Sequence, residues 1–208
     1  TSNVTASVGR SLLVNLGEAK VQGLGSDIPT QEQIVASALA QIDASQEITL
    51  YTTANLTLVD DSPQTLTTYG NSVVVVLEQY PGASVEKVLL AVGNATDSGK
   101  SSYLAELAGI ATAYKNIARE LGSLPVPKTL SPLHLQVVNN FAKIAAACAD
   151  MQVVLTDPLR GLAGLKVYQS LTEETARLFI NIAQALDKNG ILFSEDEPGY
   201  AWSLLVAQ

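Results

Sequence analysis

The strongest constraint on the fold is a pair of long helical patterns within residues 130–190. Apolar residues in the first half recur at steps of three and four and so share one helix face: Val137, Val138, Phe141, Ile144, Ala145, Cys148, Met151 and Leu155. The second half repeats the pattern with Leu165, Tyr168, Leu171, Leu178, Ile182, Ala185 and Leu186. Asp157-Pro158 separates the halves, and Asn189-Gly190 is a typical helix end. We predict an αα-hairpin whose apolar faces are buried.

Shorter helical patterns precede this hairpin and indicate an all-α fold, a multi-helix bundle built around the C-terminal hairpin. Helices are predicted at residues 4–25, 30–44, 63–80, 84–93 and 98–121, each ending near glycine, proline or a polar residue. Residues 48–59 are rich in β-branched side chains and predict a short extended or β segment. Two prolines in residues 124–128 predict a stiff, extended connection to the hairpin.

The domain prediction is one helical domain over residues 1–208. Residues 1–47 form N-terminal helices that could be a semi-independent arm, and residues 191–208 form a tail that packs back on the bundle. A chain of 208 residues with 47% hydrophobic content can bury a core of its own. No apolar run approaches the roughly 18–20 residues that a membrane span needs.

Charge excludes two classes of partner. The 12 basic and 20 acidic residues give a net charge of −8, and no basic cluster occurs. Nucleic acids and anionic membrane surfaces both need a basic face, so neither is an expected partner. Charged residues make up only 15% of the chain, against about 25% in most soluble domains. Such a composition favours an extracytoplasmic setting or self-association.

No residue pattern indicates catalysis, and we predict no catalytic, cofactor-binding or metal-binding residues. Residues 93–101 resemble a phosphate-binding loop, but five residues separate its glycines where four are needed, and Asp97 has the wrong charge. A turn between two helices, capped by Asp97, explains the same residues. His134 is the one histidine, which excludes a multi-histidine metal site. Cys148 lies among alanines and is interpreted as buried packing.

Adjacent acidic residues occur in three places, and the first two have a structural interpretation. Asp60-Asp61 is typical of a helix cap, and Glu173-Glu174 of a solvated helix face. Residues 195–197 are all acidic and could bind calcium together with backbone carbonyls, but the alternating ligand pattern of an EF-hand is missing.

Four segments carry a family resemblance. They are TLTTYGNSV (65–73), LPVPKTLSPLHLQVVNNF (124–141), LTDPLRGLAGL (155–165) and FSEDEPGY (193–200). The chain resembles a group of uncharacterised all-helical proteins of the ultra-small candidate phyla radiation bacteria. That resemblance implies an extracytoplasmic helical domain that follows an N-terminal hydrophobic anchor, and it implies no activity. The present sequence begins at Thr1 without an initiator Met and without such an anchor, so we expect either that a leader has been processed away or that the given sequence omits it.

The leading functional hypothesis is a non-enzymatic extracytoplasmic scaffold or interaction protein, part of a cell-envelope or surface assembly, with a protein partner or a second copy of itself. The predicted interaction residues are Gly161 and Gly164, where backbones can approach closely, and Tyr200 and Trp202 in the apolar tail. The alternative is a small-ligand-binding domain with a pocket between the hairpin and the 98–121 helix. A hydrolase comes third and requires perturbed acids in a cleft.

Overall fold

The computed structural model describes residues 3–21, positions 23, 27, 29, 30 and 33, and residues 48–206. The described residues confirm the all-α fold class. They form two short strands, β1 (Thr57–Val59) and β2 (Pro125–Pro127), and seven α-helices: α1 (Val4–Val21), α2 (Pro63–Glu78), α3 (Val85–Ser98), α4 (Ala105–Gly122), α5 (Ser131–Met151), α6 (Pro158–Lys188) and α7 (Tyr200–Val206). Most of the helix predicted at residues 30–44 lies outside the described residues.

The predicted hairpin is confirmed as α5 and α6. Pro158 stands in the first turn of α6, where its missing N–H leaves no unpaired donor, and Asp157 precedes it as the N-cap. The helix then continues for 31 residues, about 45 Å. The buried Asp150 pairs with the half-buried Arg160 and links the two arms near the turn, with 2.6 Å between Asp150 Oδ1 and an Arg160 guanidinium nitrogen.

Helix α4 packs along α5 and completes a three-helix core with the hairpin. The helix predicted at residues 84–93 is longer than expected, because α3 continues through Gly93 to Ser98. One buried apolar face continues past that glycine and is formed by Val88, Val92 and Ala95. The helix ends at Gly99, whose φ of +68° is the left-handed conformation that glycine adopts easily. The prediction that a helix starts at Asp97 or Ser98 is therefore wrong.

The two strands pair in parallel, with Leu58 opposite Val126. The extended segment predicted at residues 48–59 is thus strand only at Thr57–Val59, and its partner is the proline-rich connection. Prolines fit there because each strand has a single neighbour, so one side of β2 needs no N–H donors. Val126, between the prolines, is fully buried and fixes this connection to the core.

Both ends of the described chain are attached by specific hydrogen bonds. At the N-terminal end, Asp157 accepts bonds from the backbone N–H groups of Val4 and Thr5, at 2.6 and 2.7 Å. These donors belong to the first turn of α1, which has no helical acceptors for them. At the C-terminal end, the Trp202 indole N–H donates to the Gly70 carbonyl at 2.9 Å. The ring of Trp202 packs edge-on against Phe179 of α6.

Candidate functional site

An open apolar groove lies where α4, α5 and α6 meet the connection between α2 and α3. We call it the aromatic groove. Its cavity volume is about 260 Å³. The lining residues are Leu77, Tyr80, Ala83, Val85, Tyr114, Ile117, Phe141, Ile144, Thr172, Thr175, Ala176 and Phe179. No charged side chain is among them, so the groove presents a surface suited to apolar groups.

A row of aromatic rings forms the floor of this groove. Tyr114 and Phe141 stack with ring centroids 6.0 Å apart, and Phe141 lies 6.2 Å from Phe179. Tyr168 meets Tyr114 at one end of the row, and Trp202 meets Phe179 at the other, both in edge-to-face arrangements. These spacings are those of favourable aromatic pairs, so each ring stabilises the position of its neighbours.

The hydroxyl groups of the groove already have partners within the chain. Tyr114 donates to the Ala83 carbonyl at 3.3 Å, and its oxygen lies 3.1 Å from that of Tyr168. Thr172 and Thr175 donate to backbone carbonyls of their own helix. Tyr80 donates to Glu120 at 2.5 Å. A ligand would therefore gain little from these hydroxyls, and recognition would rest on apolar contact.

Burial keeps the two central tyrosines neutral. The pKa of Tyr114 is raised by burial, and the pKa of Tyr168 is raised by burial and by its hydrogen bond to Tyr114. A neutral hydroxyl in this position is a hydrogen-bonding group of the core. It does not supply a base at ordinary pH.

The apolar surface continues from the groove onto the outer face of α3. Val85 lines the groove at the start of that helix, and Leu89 stands one turn further along the same face. Both side chains are exposed, and Leu90 beside them is 55% exposed. Groove and helix face together make one apolar area on this side of the bundle.

A second groove, of about 430 Å³, lies between α4 and α5. Alanines form most of its walls, and Lys115 is its one charged residue. Ile48, Thr49 and Tyr51 also line it. We assign no site to it.

His134 is a structural residue. It is 1% exposed, and its Nε2 lies 3.0 Å from the Leu121 carbonyl oxygen, which can only accept. Nε2 therefore carries the proton, and Nδ1 accepts from the Tyr69 hydroxyl at 3.0 Å. Burial lowers the pKa of His134 to about 4. Both ring nitrogens are used, so the imidazole offers neither a free base nor a metal ligand.

The cysteine and the residues of the loop that resembled a phosphate site also have structural roles. Cys148 is fully buried, as predicted, and burial raises the pKa of its thiol to about 12. The loop that resembled a phosphate site is absent, because Gly93 through Ser98 belong to α3. A phosphate-binding loop needs consecutive non-helical N–H groups directed at one point, and helical residues cannot supply them.

The acidic groups make hydrogen bonds within the fold, and Asp60-Asp61 is not the cap of α2, because the N-cap is Ser62. The pKa of Asp60 is lowered by its hydrogen bond to Lys128, at 2.6 Å. Asp61 accepts bonds from the backbone and hydroxyl of Thr129. The pKa of Glu197 is lowered by the backbone N–H of Ser194, and its other oxygen accepts from Asn71. Within the described ranges, no group of three or more histidine, cysteine or acidic side chains is placed to hold a metal ion.

Three of the four predicted interaction residues are buried in the fold, and the interaction itself stays a prediction. Gly161 and Gly164 are buried, and a Cβ at Gly164 would lie 2.8 Å from the Ala147 carbonyl oxygen of α5. The close backbone approach is therefore made within the hairpin. Trp202 is 3% exposed, which leaves Tyr200, half-buried, as the one predicted residue with accessible surface.

The sequence placed a pocket in this region only under the ligand-binding alternative, and it did not identify the lining residues of the aromatic groove. Tyr114 and Phe141 lie on apolar helix faces in the sequence. Such a face predicts that the rings are buried, but it does not predict a groove beside them. Only the crossing of three helices with the α2–α3 connection shows that a cavity remains above these rings.

Comparison with protein-family models, with curated proteins and with solved structures finds no match to the chain. Among the described helices, none is both long and apolar enough to cross a membrane. The class that fold and site define is a helical bundle with an open aromatic groove.

Proposed function

We propose that the protein is a non-enzymatic interaction module that binds apolar side chains of a protein partner in the aromatic groove. The observation that carries this proposal is the chemistry of the groove: its lining has no charged group, and each of its hydroxyls is already paired within the chain. Catalysis needs acids, bases or nucleophiles that face a substrate, and this lining offers none of them.

The size of the groove favours a protein partner over a small ligand. Small-molecule sites measure about 300–1,000 Å³ and place a few polar groups around the ligand. The aromatic groove is smaller, at about 260 Å³, and is open along one side. A few apolar side chains would fill it, and the exposed residues Leu89 and Leu90 would add contact area beside them.

The proposal includes the setting of the protein. A scaffold role in an extracytoplasmic, cell-envelope or surface assembly is supported by the low charged content of 15% and by the sequence segments described above. Protease treatment of intact and of lysed cells tests this location. Digestion of the protein in intact cells supports an extracytoplasmic location. If the protein is protected from protease until the cells are lysed and is recovered with cytosolic markers, that location is contradicted.

A photo-crosslinking residue in place of Ala176 tests the groove itself. Ala176 is exposed and lines the groove, whereas Ala108 is exposed on α4 outside it and provides the matched control. We expect one defined protein adduct from position 176, competed by an excess of the unlabelled protein, and none from position 108. Equal adducts from both positions would contradict a specific site. An adduct with a second copy of this chain would identify the partner as itself.

The alternative is a small-ligand-binding domain, favoured by one observation: the groove lies between the hairpin and α4, where that hypothesis places its pocket. Native mass spectrometry of the purified protein distinguishes the two. A stoichiometric small molecule, displaced by Ala176→Trp and retained by Ala108→Trp, would support the ligand-binding function and overturn the protein-partner proposal.

A further inference from the structure

We infer that α1 is a detachable arm, which separates from the bundle as a unit while the bundle stays folded, and that Asp157 controls its attachment. Two features of the fold carry this inference. Helix α1 lies outside the main core, and the hydrogen bonds that attach it are gathered at residues 3–5. The inference gives a physical form to the semi-independent arm that the sequence predicts within residues 1–47.

Helix α1 does not share in the main hydrophobic core. Each of the other helices contributes buried side chains to that core, but no described apolar residue of α1 belongs to it or packs against it. Val8 and Ala19 are the buried residues among those described in α1, whereas Leu13 and Val21 are 76% and 89% exposed. At the other end of the chain, α7 inserts Trp202 into the core. Burial of apolar surface therefore contributes less to the attachment of α1 than to that of α7.

Helices α1 and α6 meet start to start, and each caps the other. The Asp157 carboxylate accepts hydrogen bonds from the backbone N–H groups of Val4 and Thr5, and a third from the Thr5 hydroxyl at 2.5 Å. The Thr5 hydroxyl oxygen in turn accepts from the Leu159 N–H at the start of α6, at 3.0 Å. N–H groups at both helix starts, which have no acceptor within their own helix, are thus paired across this junction.

The attachment is confined to one end of α1. Asn3, just before the helix, donates through Nδ2 to the Thr156 carbonyl at 2.9 Å. Beyond Thr5, no hydrogen bond or ion pair between described residues joins α1 to the bundle. An isolated helix of 18 residues is only marginally stable in water. When the bonds at residues 3–5 break, the whole helix is therefore released and loses its own backbone hydrogen bonds.

The charge of Asp157 matters because two helix starts meet there. Each start carries a positive partial charge of roughly half an elementary charge, and the carboxylate between them offsets both. Its two oxygens accept from Val4 and Thr5 separately. Asparagine at this position has one acceptor oxygen, and its amide N–H₂ would face a backbone N–H group. Asparagine is as good an N-cap as aspartate, so Asp157→Asn weakens the attachment of α1 and leaves the start of α6 intact.

Hydrogen exchange measured by mass spectrometry on the full chain tests the inference. It compares peptides from α1 with peptides from α5 and α6 in the unaltered protein and in three variants. Asp157→Asn and Thr5→Val each weaken the junction, and Thr5→Val lies in α1 itself, so the test stands even if Asp157→Asn does not fold. Glu197→Gln is the matched control, because Glu197 also accepts hydrogen bonds from a backbone N–H and from a side chain, at the other end of the chain.

In the unaltered protein we expect the amides of α1 to exchange at least about tenfold faster than those of α5 and α6, because release of the arm needs less free energy than global unfolding. Asp157→Asn should accelerate exchange in α1 by a further factor of about ten or more, and Thr5→Val by several-fold. Both variants should leave the exchange of α5 and α6 nearly unchanged. Glu197→Gln should leave the exchange of α1 unchanged.

Three outcomes would overturn the inference in different ways. Equal exchange of α1, α5 and α6 in the unaltered protein would show that α1 opens only when the whole bundle unfolds. Equal acceleration of α1 and of the hairpin by Asp157→Asn and Thr5→Val would show that the junction stabilises the fold as a whole. Unchanged exchange of α1 in both variants would show that contacts other than those at Asp157 hold the helix.

Discussion

Asn139 and Tyr51 exchange two hydrogen bonds. The Tyr51 backbone N–H donates to Asn139 Oδ1 at 2.8 Å, and Asn139 Nδ2 donates to the Tyr51 carbonyl at 3.0 Å. The side-chain amide thus pairs with the backbone as a neighbouring strand would. The ring of Tyr51 lies against Gly122, where a Cβ would be 2.7 Å from Tyr51 Cε1. Together these contacts hold the segment before β1 against α4 and α5.

Replacing Asn139 by alanine should lower the free energy of unfolding by about 1–3 kcal/mol, since two hydrogen bonds to part-buried backbone groups are lost together. Urea denaturation measures this change. Asn139→Asp keeps the acceptor but places a carboxylate oxygen against the Tyr51 carbonyl oxygen, so we expect a loss at least as large. If Asn139→Ala unfolds at the same urea concentration as the unaltered protein, the two bonds contribute nothing in solution.

A second pair of substitutions tests the close packing of the hairpin. Gly164→Ala should destabilise the protein by about 1–3 kcal/mol, because the new methyl group would lie 2.8 Å from a backbone oxygen of α5, which cannot move without shifting that helix. Gly109→Ala is the control in α4, where a Cβ would meet no atom within 4 Å. It should stabilise by roughly 0.5–1 kcal/mol through helix propensity. If thermal melts show that both substitutions shift the melting temperature in the same direction, this interpretation is refuted.

Cys148 provides a chemical test of the core. A thiol with a pKa raised to about 12 has almost no thiolate near neutral pH, and its burial also blocks access. We expect a disulfide reagent such as dithionitrobenzoate to react at pH 8 only as fast as the protein opens, and rapidly in concentrated urea. Rapid reaction of the folded protein, at the rate of a free thiol, would instead indicate an accessible and reactive cysteine.

The hairpin was predictable because neighbouring residues in the sequence determine both its helices and their ends. Asp157, Pro158 and Gly190 mark its helix ends by their own backbone chemistry, and the apolar stripes between them allow one interpretation. The end of α3 was not predictable from the sequence, because Gly93 is a residue at which a helix often ends. Only the burial of Ala95 in the structure shows that the helix continues past it.

The pairing of β1 with β2 and the aromatic groove depend on distant parts of the chain. Leu58 and Val126 meet across 68 positions, which no local pattern encodes. The groove depends on the angle between helices and on where Ala83 and Ala176 leave space beside the rings. Larger side chains at those two positions could have filled the groove without changing the apolar helix faces. The sequence alone therefore predicts the buried rings of the floor and not the cavity above them.

The last prediction concerns acid and His134. In the folded protein burial lowers the pKa of His134 to about 4, whereas the unfolded chain has the ordinary value of 6.5. Between these values the unfolded state binds more protons, so stability is complete above pH 6.5 and falls as the pH decreases toward 4. The loss should approach 1.4 kcal/mol per pH unit and total about 3 kcal/mol.

His134 is the one histidine, so its contribution can be isolated. Burial raises the pKa of Asp157, but the hydrogen bonds that it accepts together outweigh burial and lower it, and hydrogen bonds also lower the pKa of Glu197. Protonation of these two carboxylates destabilises the fold only below their ordinary pKa values near 4. Urea denaturation at pH 7.0, 6.0 and 5.0 therefore reports mainly on His134. We expect His134→Gln to be less stable at pH 7 and nearly independent of pH in this window. If the unaltered protein has equal stability at pH 7 and pH 5, the imidazole accepts a proton in the folded state, and the Tyr69 hydrogen bond to Nδ1 cannot be as the structure places it.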